Sequence, residues 1–358
     1  MSLMKRYTAM FGFLLISGAV SASVSQEQWR DLNQNIVNDH VLPVYQDLAK
    51  QSGALEKQTQ QLCKVPTQKT LDLTRTQFKH TLDAWEAAQH INFGPIELLM
   101  RNFSIQFWPD KKNLTSKQLN KLLAEKDPNS LTDEALQTAS IAVKGLPAIE
   151  RILYAQEALT KIQQDSYRCQ LLHAVSNYVK DQSKSTYQEW QSFKHEFDYV
   201  ESEDGLYGSA QAATVDLMKA LIEPLAVVRD LKILHPLGTK KAKPRRLENW
   251  RSQSALRNLQ TNISTLHHMY SGISGVSLKS VLTEQGAEDL ATDIENQFIL
   301  LEKALEQLPA PLSKHIHEAE VREQLFLISE HIEKLGKKFA KGMKLLEIQL
   351  GFNSRDGD

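Results

Sequence analysis

The chain has 358 residues, 42 of them basic and 43 acidic, which gives a formal net charge of −1 at pH 7. This balance lacks the basic excess of a nucleic-acid-binding face, so we expect no nucleic-acid partner. The length allows one large or two ordinary domains, and a hydrophobic fraction of 41% is enough to build their cores.

The first 22 residues have the order of a secretory signal peptide. Lys5 and Arg6 precede an apolar run over 9–20, and Val20 and Ala22 occupy the positions that a signal peptidase reads. The run is shorter than the roughly 20 residues that a transmembrane helix needs. We therefore expect cleavage after Ala22, export to the periplasm and no membrane anchor on the mature chain. The alternative is a signal anchor that stays attached.

The rest of the chain predicts helices. Between clusters of glycine and proline, apolar residues recur at helical spacing, first over 29–48, with a kink expected at Pro43, then over 256–270 and finally over 321–350. No alternating strand followed by a hairpin signal is found. Long helices with one apolar face bury those faces against each other, so we predict an all-α fold made of helical bundles.

Two bundles fit the pattern better than one. The segment 234–246 contains two prolines, a glycine and five basic residues, and it separates an N-terminal bundle (23–233) from a C-terminal bundle (247–358). The helix predicted over 208–231 fits either bundle. The segment itself is either a solvated basic linker or a surface that attracts an anionic ligand.

The two cysteines, Cys63 and Cys169, are an even pair in a chain that we expect to enter an oxidising compartment. Such a pair predicts a disulfide bond. The alternative is two buried thiols that never meet.

Three stretches contain more glycine, proline, tryptophan and charge than helix packing requires. They cover 85–110, 143–154 and 246–254. In the second stretch Pro147 suits the first turn of a helix, and Glu150 then lies close to the free N–H groups at that helix start. The alternative role for Glu150 is a structural ion pair with an arginine, and the candidates are Arg101, Arg246 and Arg251.

Together these stretches, with the ending over 350–358, resemble the imelysin-like family of exported bacterial proteins, nominally metallopeptidases. The resemblance covers nearly the whole mature chain. It implies two bundles of about four helices each, packed around a shared cleft, and a link to iron uptake. The family motif Gly-x-His-x-x-Glu reads here as Gly145, Pro147 and Glu150 at the three defined positions. Proline has no ligand atom, so a metal held by the His/Glu pair, and peptidase chemistry that depends on it, are in doubt.

The resemblance and the chemistry of the side chains predict a site in that cleft. Glu150 and Asp110 would supply carboxylates for iron or another divalent or trivalent metal ion, because hard cations prefer oxygen ligands. Arg101 and Arg251 would bind an anion, and Trp108 would form a wall. The remaining residues expected in the cleft are Gly145, Pro147, Glu248 and Ser252.

We therefore expect a periplasmic binding or accessory protein of iron acquisition, with a metal ion or small anion as ligand and envelope iron-uptake components as partners. The first alternative is a metallopeptidase, although the chain has no His-Glu-x-x-His motif. The second alternative is an envelope interaction protein without a small ligand.

Overall fold

The computed structural model describes residues 23–198 and 205–351. The predicted signal peptide, the segment 199–204 and most of the C-terminal ending, 352–358, lie outside the described residues. Within the described residues the chain is helical and has no β-strand, which confirms the predicted fold class. No helix in these two ranges combines the length and hydrophobicity needed to cross a bilayer.

The helices lie where apolar periodicity predicted them, and many begin with a side-chain cap. Ser25, Thr67 and Ser277 each form a reciprocal capping box with the third residue of the following helix. In chain order the helices are α1 Gln26–Ile36, α2 Leu42–Lys64, α3 Gln68–Ala88, α4 Arg101–Ile105, α5 Leu114–Glu125, α6 Asp133–Thr138, α7 Leu146–Leu153, α8 Ala158–Gln164, α9 Ser166–Phe193, α10 Ala210–Ala226, α11 His235–Leu237, α12 Ala255–His267, α13 Leu278–Glu284, α14 Glu288–Glu306, α15 Leu312–His315 and α16 Ala319–Leu345.

Three π-helical turns extend or join these helices. They are Val37–Val41 between α1 and α2, Val227–Leu234 between α10 and α11, and His268–Gly272 after α12. Pro43, where we expected a kink, lies in the first turn of α2 directly after the first π-helical turn. Such turns widen a helix locally and are common at functional sites.

The helices form two packing groups. Helices α2, α3, α7 and α9 pack together, and α1, α10, α12, α14 and α16 pack together, with α3 against α12 between them. This arrangement is compatible with two bundles. Helices α1 and α10 precede the basic segment in sequence yet pack with helices that follow it, so both halves of the chain contribute to the second group. The boundary at 234–246 stays a prediction.

The predicted disulfide between Cys63 and Cys169 is present and joins α2 to α9. The two helices also share the apolar core, where Leu55 and Leu62 of α2 and Leu172 and Val175 of α9 are fully buried. The bond therefore ties together helices that already pack.

Candidate functional site

The three stretches singled out by composition meet at one cleft of about 660 Å³. The part before α5 contributes Trp108 and Asp110, helix α7 contributes Pro147 and Glu150, and the loop before α12 contributes Arg251. Five of the residues predicted for the site therefore line one concave surface. They come from three chain segments spread between Trp108 and Arg251, which only the tertiary fold brings together.

Gly145 fixes the start of α7, the helix that carries Pro147 and Glu150 in the cleft lining. Its φ is +80°, and a Cβ atom at this position would overlap the carbonyl oxygens of Ser104 and Ile105. Only glycine tolerates both conditions. Gly145 is the N-cap of α7 and Pro147 lies in the first turn, as predicted. The tight approach brings Glu150 into the cleft one turn later.

Glu150 is buried and accepts two hydrogen bonds from Ser252. Its Oε1 lies 3.0 Å from the backbone N of Ser252 and 2.7 Å from the Ser252 Oγ. Burial raises the pKa of the Glu150 carboxyl, and the Ser252 hydrogen bonds and the charges of Arg251 and Arg151 oppose that rise. The direct partner of Glu150 is thus a serine, and not one of the arginines considered from the sequence. The contact fixes the loop that carries Arg251.

Asp110 caps a helix. Its Oδ1 accepts from the backbone N of Leu114 at 2.7 Å, its Oδ2 accepts from the backbone N of Thr115 at 2.9 Å, and the Arg151 guanidinium lies 3.5 Å from Oδ2. A carboxylate at a helix start is stabilised by such N–H groups.

The carboxylates predicted as metal ligands therefore already hold N–H and O–H donors. Across residues 23–198 and 205–351, no group of three or more His, Cys, Asp or Glu side chains is placed to hold a metal ion. The donor set formed by Asp110 and Glu150 does not fit a bare metal ion.

Positive charge dominates the cleft. Its lining includes the cations Lys111, Arg151, Arg245, Arg246 and Arg251 against the two carboxylates. Burial and the neighbouring Arg251 lower the pKa of Arg151 to about 10, so the guanidinium keeps its charge at neutral pH. The sequence prediction named only Arg251 of these cations as a ligand-binding residue. The run of basic residues over 240–246 was the available signal for Arg245 and Arg246.

Arginine and tryptophan also stack in the lining of the cleft. The guanidinium carbon of Arg251 lies 4.4 Å from the centroid of the Trp250 ring, and that of Arg245 lies 5.7 Å from it. Contacts of this kind orient a guanidinium and hold it in place.

Arg101, which we expected in the cleft, lies elsewhere. It is buried and forms a bidentate ion pair with Glu189 of α9, at 2.5 and 2.8 Å, and it donates to the carbonyl of Pro95 at 3.0 Å. Its two terminal nitrogens hold α4 against α9, and Arg101 does not line this cleft.

Glu248 is also absent from the cleft lining and belongs to a buried polar layer behind it. Lys232 Nζ lies 2.6 Å from Glu86 Oε2 and 2.7 Å from Glu248 Oε2. Gln106, which lines the cleft, donates to Glu248 Oε1 at 3.2 Å. Burial, followed by the charge of Glu248, raises the pKa of Glu86 to about 8. Sequence reasoning missed Glu86 and Lys232, although Glu86 lies in the first of the three stretches.

Over the described residues the protein is helical. Its cationic cleft is assembled from three helix–loop junctions, and these two features define its class. The chain belongs to the imelysin family, because the family model described as Imelysin (Peptidase M75) matches residues 41–336. The expected family membership is thereby confirmed.

Individual relatives support the same family and fold. The chain is 25% identical over 295 residues to the iron-regulated protein A of Synechococcus elongatus (strain ATCC 33912 / PCC 7942 / FACHB-805), covering 79% of this chain and 77% of that protein. An imelysin-like protein from Psychrobacter arcticum 273-4 has a similar structure, with a TM-score of 0.78, 24% identity, and coverage of 93% of this chain and 100% of that one. A proposed iron-regulated protein A precursor from Parabacteroides distasonis ATCC 8503 gives a TM-score of 0.74 at 16% identity, covering 90% and 97%.

Proposed function

We propose that this protein is a periplasmic binding protein of iron acquisition, and that its cleft takes iron as an anionic carboxylate chelate rather than as a bare ion. The observation that carries the proposal is the set of five cationic side chains in a cleft with only two carboxylates, both already hydrogen-bonded. The names of two relatives, which describe iron-regulated proteins, support the link to iron. The predicted signal peptide supports the compartment.

Guanidinium groups suit this ligand class. Arginine binds carboxylates through two parallel hydrogen bonds, and it is more weakly hydrated than lysine. Arg251, which stacks on Trp250, and Arg151 would donate hydrogen bonds to the carboxylate oxygens of the ligand. Trp108 would cover the ligand from the side. Iron would then be cargo inside the chelate and would need no protein ligand.

Isothermal titration tests the proposal with three probes: citrate, ferric citrate and a weakly complexed ferric salt. We expect citrate and ferric citrate to bind, and we expect their affinity to fall as salt is raised, because screening weakens exposed charges. Binding of the metal salt alone would overturn the proposal. Failure of all three probes would favour the interaction protein without a small ligand.

Arg251→Gln removes the cation that stacks on Trp250 and adjoins Ser252, the hydrogen-bond partner of Glu150. We expect at least about tenfold weaker citrate binding, equivalent to about 1.4 kcal/mol. Lys184→Gln on the exposed face of α9 is the matched control, because it changes the net charge equally and lies outside the cleft. Equal effects of both substitutions would mean that only the overall charge matters.

Two substitutions of Glu150 separate a positioning role from a direct ligand role. Glu150→Ala removes the acceptor for both Ser252 donors, so we expect unchanged helical content by circular dichroism and loss of ligand binding. Glu150→Gln keeps an oxygen that can accept from Ser252, so we expect it to retain most of the binding. Loss of binding in both variants would mean that the negative charge itself contacts the ligand.

A metallopeptidase remains the second candidate, because the matched family model carries a peptidase name. Casein digestion with and without a chelator tests it, since catalysis of this kind needs a metal to activate water. Chelator-sensitive cleavage by the purified protein would favour this candidate over the binding protein.

A further inference from the structure

A second cavity, of about 240 Å³, lies on the other side of the buried polar layer from the cationic cleft. The end of α3, the end of α10, the π-helical turn Val227–Leu234 and α12 enclose it. Its polar lining includes Glu86, His90, Glu223, Lys232 and Asn262. Glu86 and Lys232 also belong to the polar layer, so the cavity and the cleft lie back to back.

Glu86, which lines this cavity, has a carboxylate oxygen without a donor among the described residues. The residue is completely buried. Its Oε2 accepts from Lys232 at 2.6 Å, from Asn262 at 2.9 Å and from Gln89, whereas Oε1 has no hydrogen-bond partner among the described residues. A buried acceptor without a donor is costly, typically about 1–3 kcal/mol. A donor supplied by a ligand would remove that cost.

The lysine of the cavity has no donor left for an anion. Lys232 Nζ contacts Glu86, Glu248 and Asn262, which accounts for its three protons. Glu223, a second carboxylate in the lining, forms no hydrogen bond or ion pair within the described part of the chain. The open charged groups are therefore carboxylates, which favour a cation with N–H donors.

Much of the remaining wall is apolar, beside the amide side chains of Gln89 and Asn92. Pro224, Ala226, Val227, Val228 and Leu266 face the same space. A bare metal ion would gain nothing from these side chains, and no group of three His, Cys, Asp or Glu residues is placed to coordinate one within 23–198 and 205–351. An alkyl chain ending in an ammonium group matches both kinds of lining.

We propose that this cavity binds a small primary alkylammonium ion, whose N–H groups donate to Glu86 Oε1 and to Glu223 while its alkyl chain covers the apolar walls. The site is separate from the cationic cleft, and it does not depend on the function proposed for that cleft.

Binding in this cavity is expected to release a proton. The raised pKa of Glu86, about 8, means that its carboxyl is mostly protonated at pH 7, because of burial and then the charge of Glu248. Lys232, Glu248, His90 and Glu223 are the other titratable groups around it. A cation favours the ionised carboxylate, so affinity rises with pH up to about 8 and levels off above that value until the amine itself deprotonates, near 10.4 for a lysine-like amine.

Calorimetric titration of the full mature chain with n-butylammonium tests the proposal. Titrations at pH 7 in two buffers with different ionisation heats measure the proton release, and we expect nearly one proton per ligand. Controls are n-butanol, which lacks the charge, tetramethylammonium, which lacks N–H donors, and Mg²⁺. We expect each control to bind at least about tenfold more weakly, or about 1.4 kcal/mol. No butylammonium binding, or equal binding of any control, would overturn the proposal.

Two variants locate the ligand. Glu223 is partly exposed and forms no hydrogen bond or ion pair among the described residues. Glu223→Gln should weaken butylammonium binding at least about fivefold, or about 1 kcal/mol. Glu86→Gln should abolish the proton release. Glu306→Gln, exposed at the end of α14, is the matched control and should change nothing. If Glu86→Gln does not fold, Glu223→Gln still decides, because unchanged affinity in that variant would place the ligand elsewhere.

Discussion

Three histidines form a hydrogen-bonded chain that runs from the buried His90 and His40 to the exposed His268. His40 Nε2 lies 2.9 Å from His90 Nε2, His40 Nδ1 lies 3.1 Å from His268 Nδ1, and His90 Nδ1 lies 2.9 Å from the carbonyl oxygen of Ala220. The carbonyl can only accept, so His90 donates from Nδ1 and accepts at Nε2. His40 then donates from Nε2 and accepts from His268 at Nδ1. Every contact is satisfied when His40 and His90 are neutral.

Acid should weaken this chain and destabilise the protein. Burial lowers the pKa of His40 well below its ordinary value and lowers that of His90 to about 4. For a histidine whose folded pKa is depressed, stability is fully present above the unfolded pKa of about 6.5 and is lost as pH falls toward the folded value. We expect the free energy of unfolding to fall between pH 6.5 and 4, by about 1.4 kcal/mol per pH unit for each such histidine.

Urea unfolding at pH 7, 6 and 5 measures this slope. His40→Gln removes one buried titratable ring and should reduce the slope by about one proton. His80→Gln, on the exposed face of α3, is the control and should leave the slope unchanged. Identical slopes in all three proteins would contradict the assignment of acid sensitivity to this chain.

The residue scale also shows what the sequence could predict about the site. Helical spacing relates residues three or four positions apart, and composition marked the stretches that supply Trp108, Asp110, Pro147 and Glu150. Neither signal relates Glu86 to Lys232, 146 residues away, or His40 to His268, 228 residues away. The buried polar layer and the histidine chain therefore came only from the tertiary structure.

At the scale of helices, apolar periodicity predicted where α1, α12 and α16 lie, because one buried face repeats every turn. Periodicity did not locate the π-helical turns, since an apolar repeat over several turns marks a helix and not the single residue inserted in it. His40 and His268 lie in two of these turns, and Lys232 lies in the remaining turn, Val227–Leu234. The π-helical turns therefore supply Lys232 to the buried polar layer and two rings to the histidine chain.

The start of α7 offers a direct test at this scale. Gly145→Ala should destabilise the protein by at least about 2 kcal/mol, because alanine is strained at positive φ and its Cβ would overlap two carbonyl oxygens. Gly336→Ala, inside α16 with open space at the Cβ position, should instead stabilise by about 0.5–1 kcal/mol. Urea unfolding of both variants checks the pair. Equal and small effects would show that the approach of α7 to Ser104 and Ile105 is loose.

On the scale of the whole molecule, the long helical run from α1 through Val37–Val41 into α2 connects the two packing groups. Its first part packs on α10, and its second part packs on α3 and α9. A composition break at 234–246 predicted a division of the chain, but composition could not indicate that the N-terminal helix serves both groups. Residues from both halves of the chain line the cationic cleft and the second cavity, so both sites depend on how the two halves pack together.

The disulfide acts on the whole molecule through the unfolded state. Cys63 and Cys169 are 106 residues apart, so the bond restricts a long loop when the chain unfolds. On the loop-entropy model this restriction contributes about 3–5 kcal/mol. Because α2 and α9 already share a core, Cys63→Ala/Cys169→Ala should keep the native circular dichroism spectrum while lowering the free energy of urea unfolding by about that amount. Dithiothreitol should lower the stability of the parent protein and leave the double variant unchanged. An equal urea midpoint with and without the bond would mean that the unfolded chain keeps these two helices together by itself.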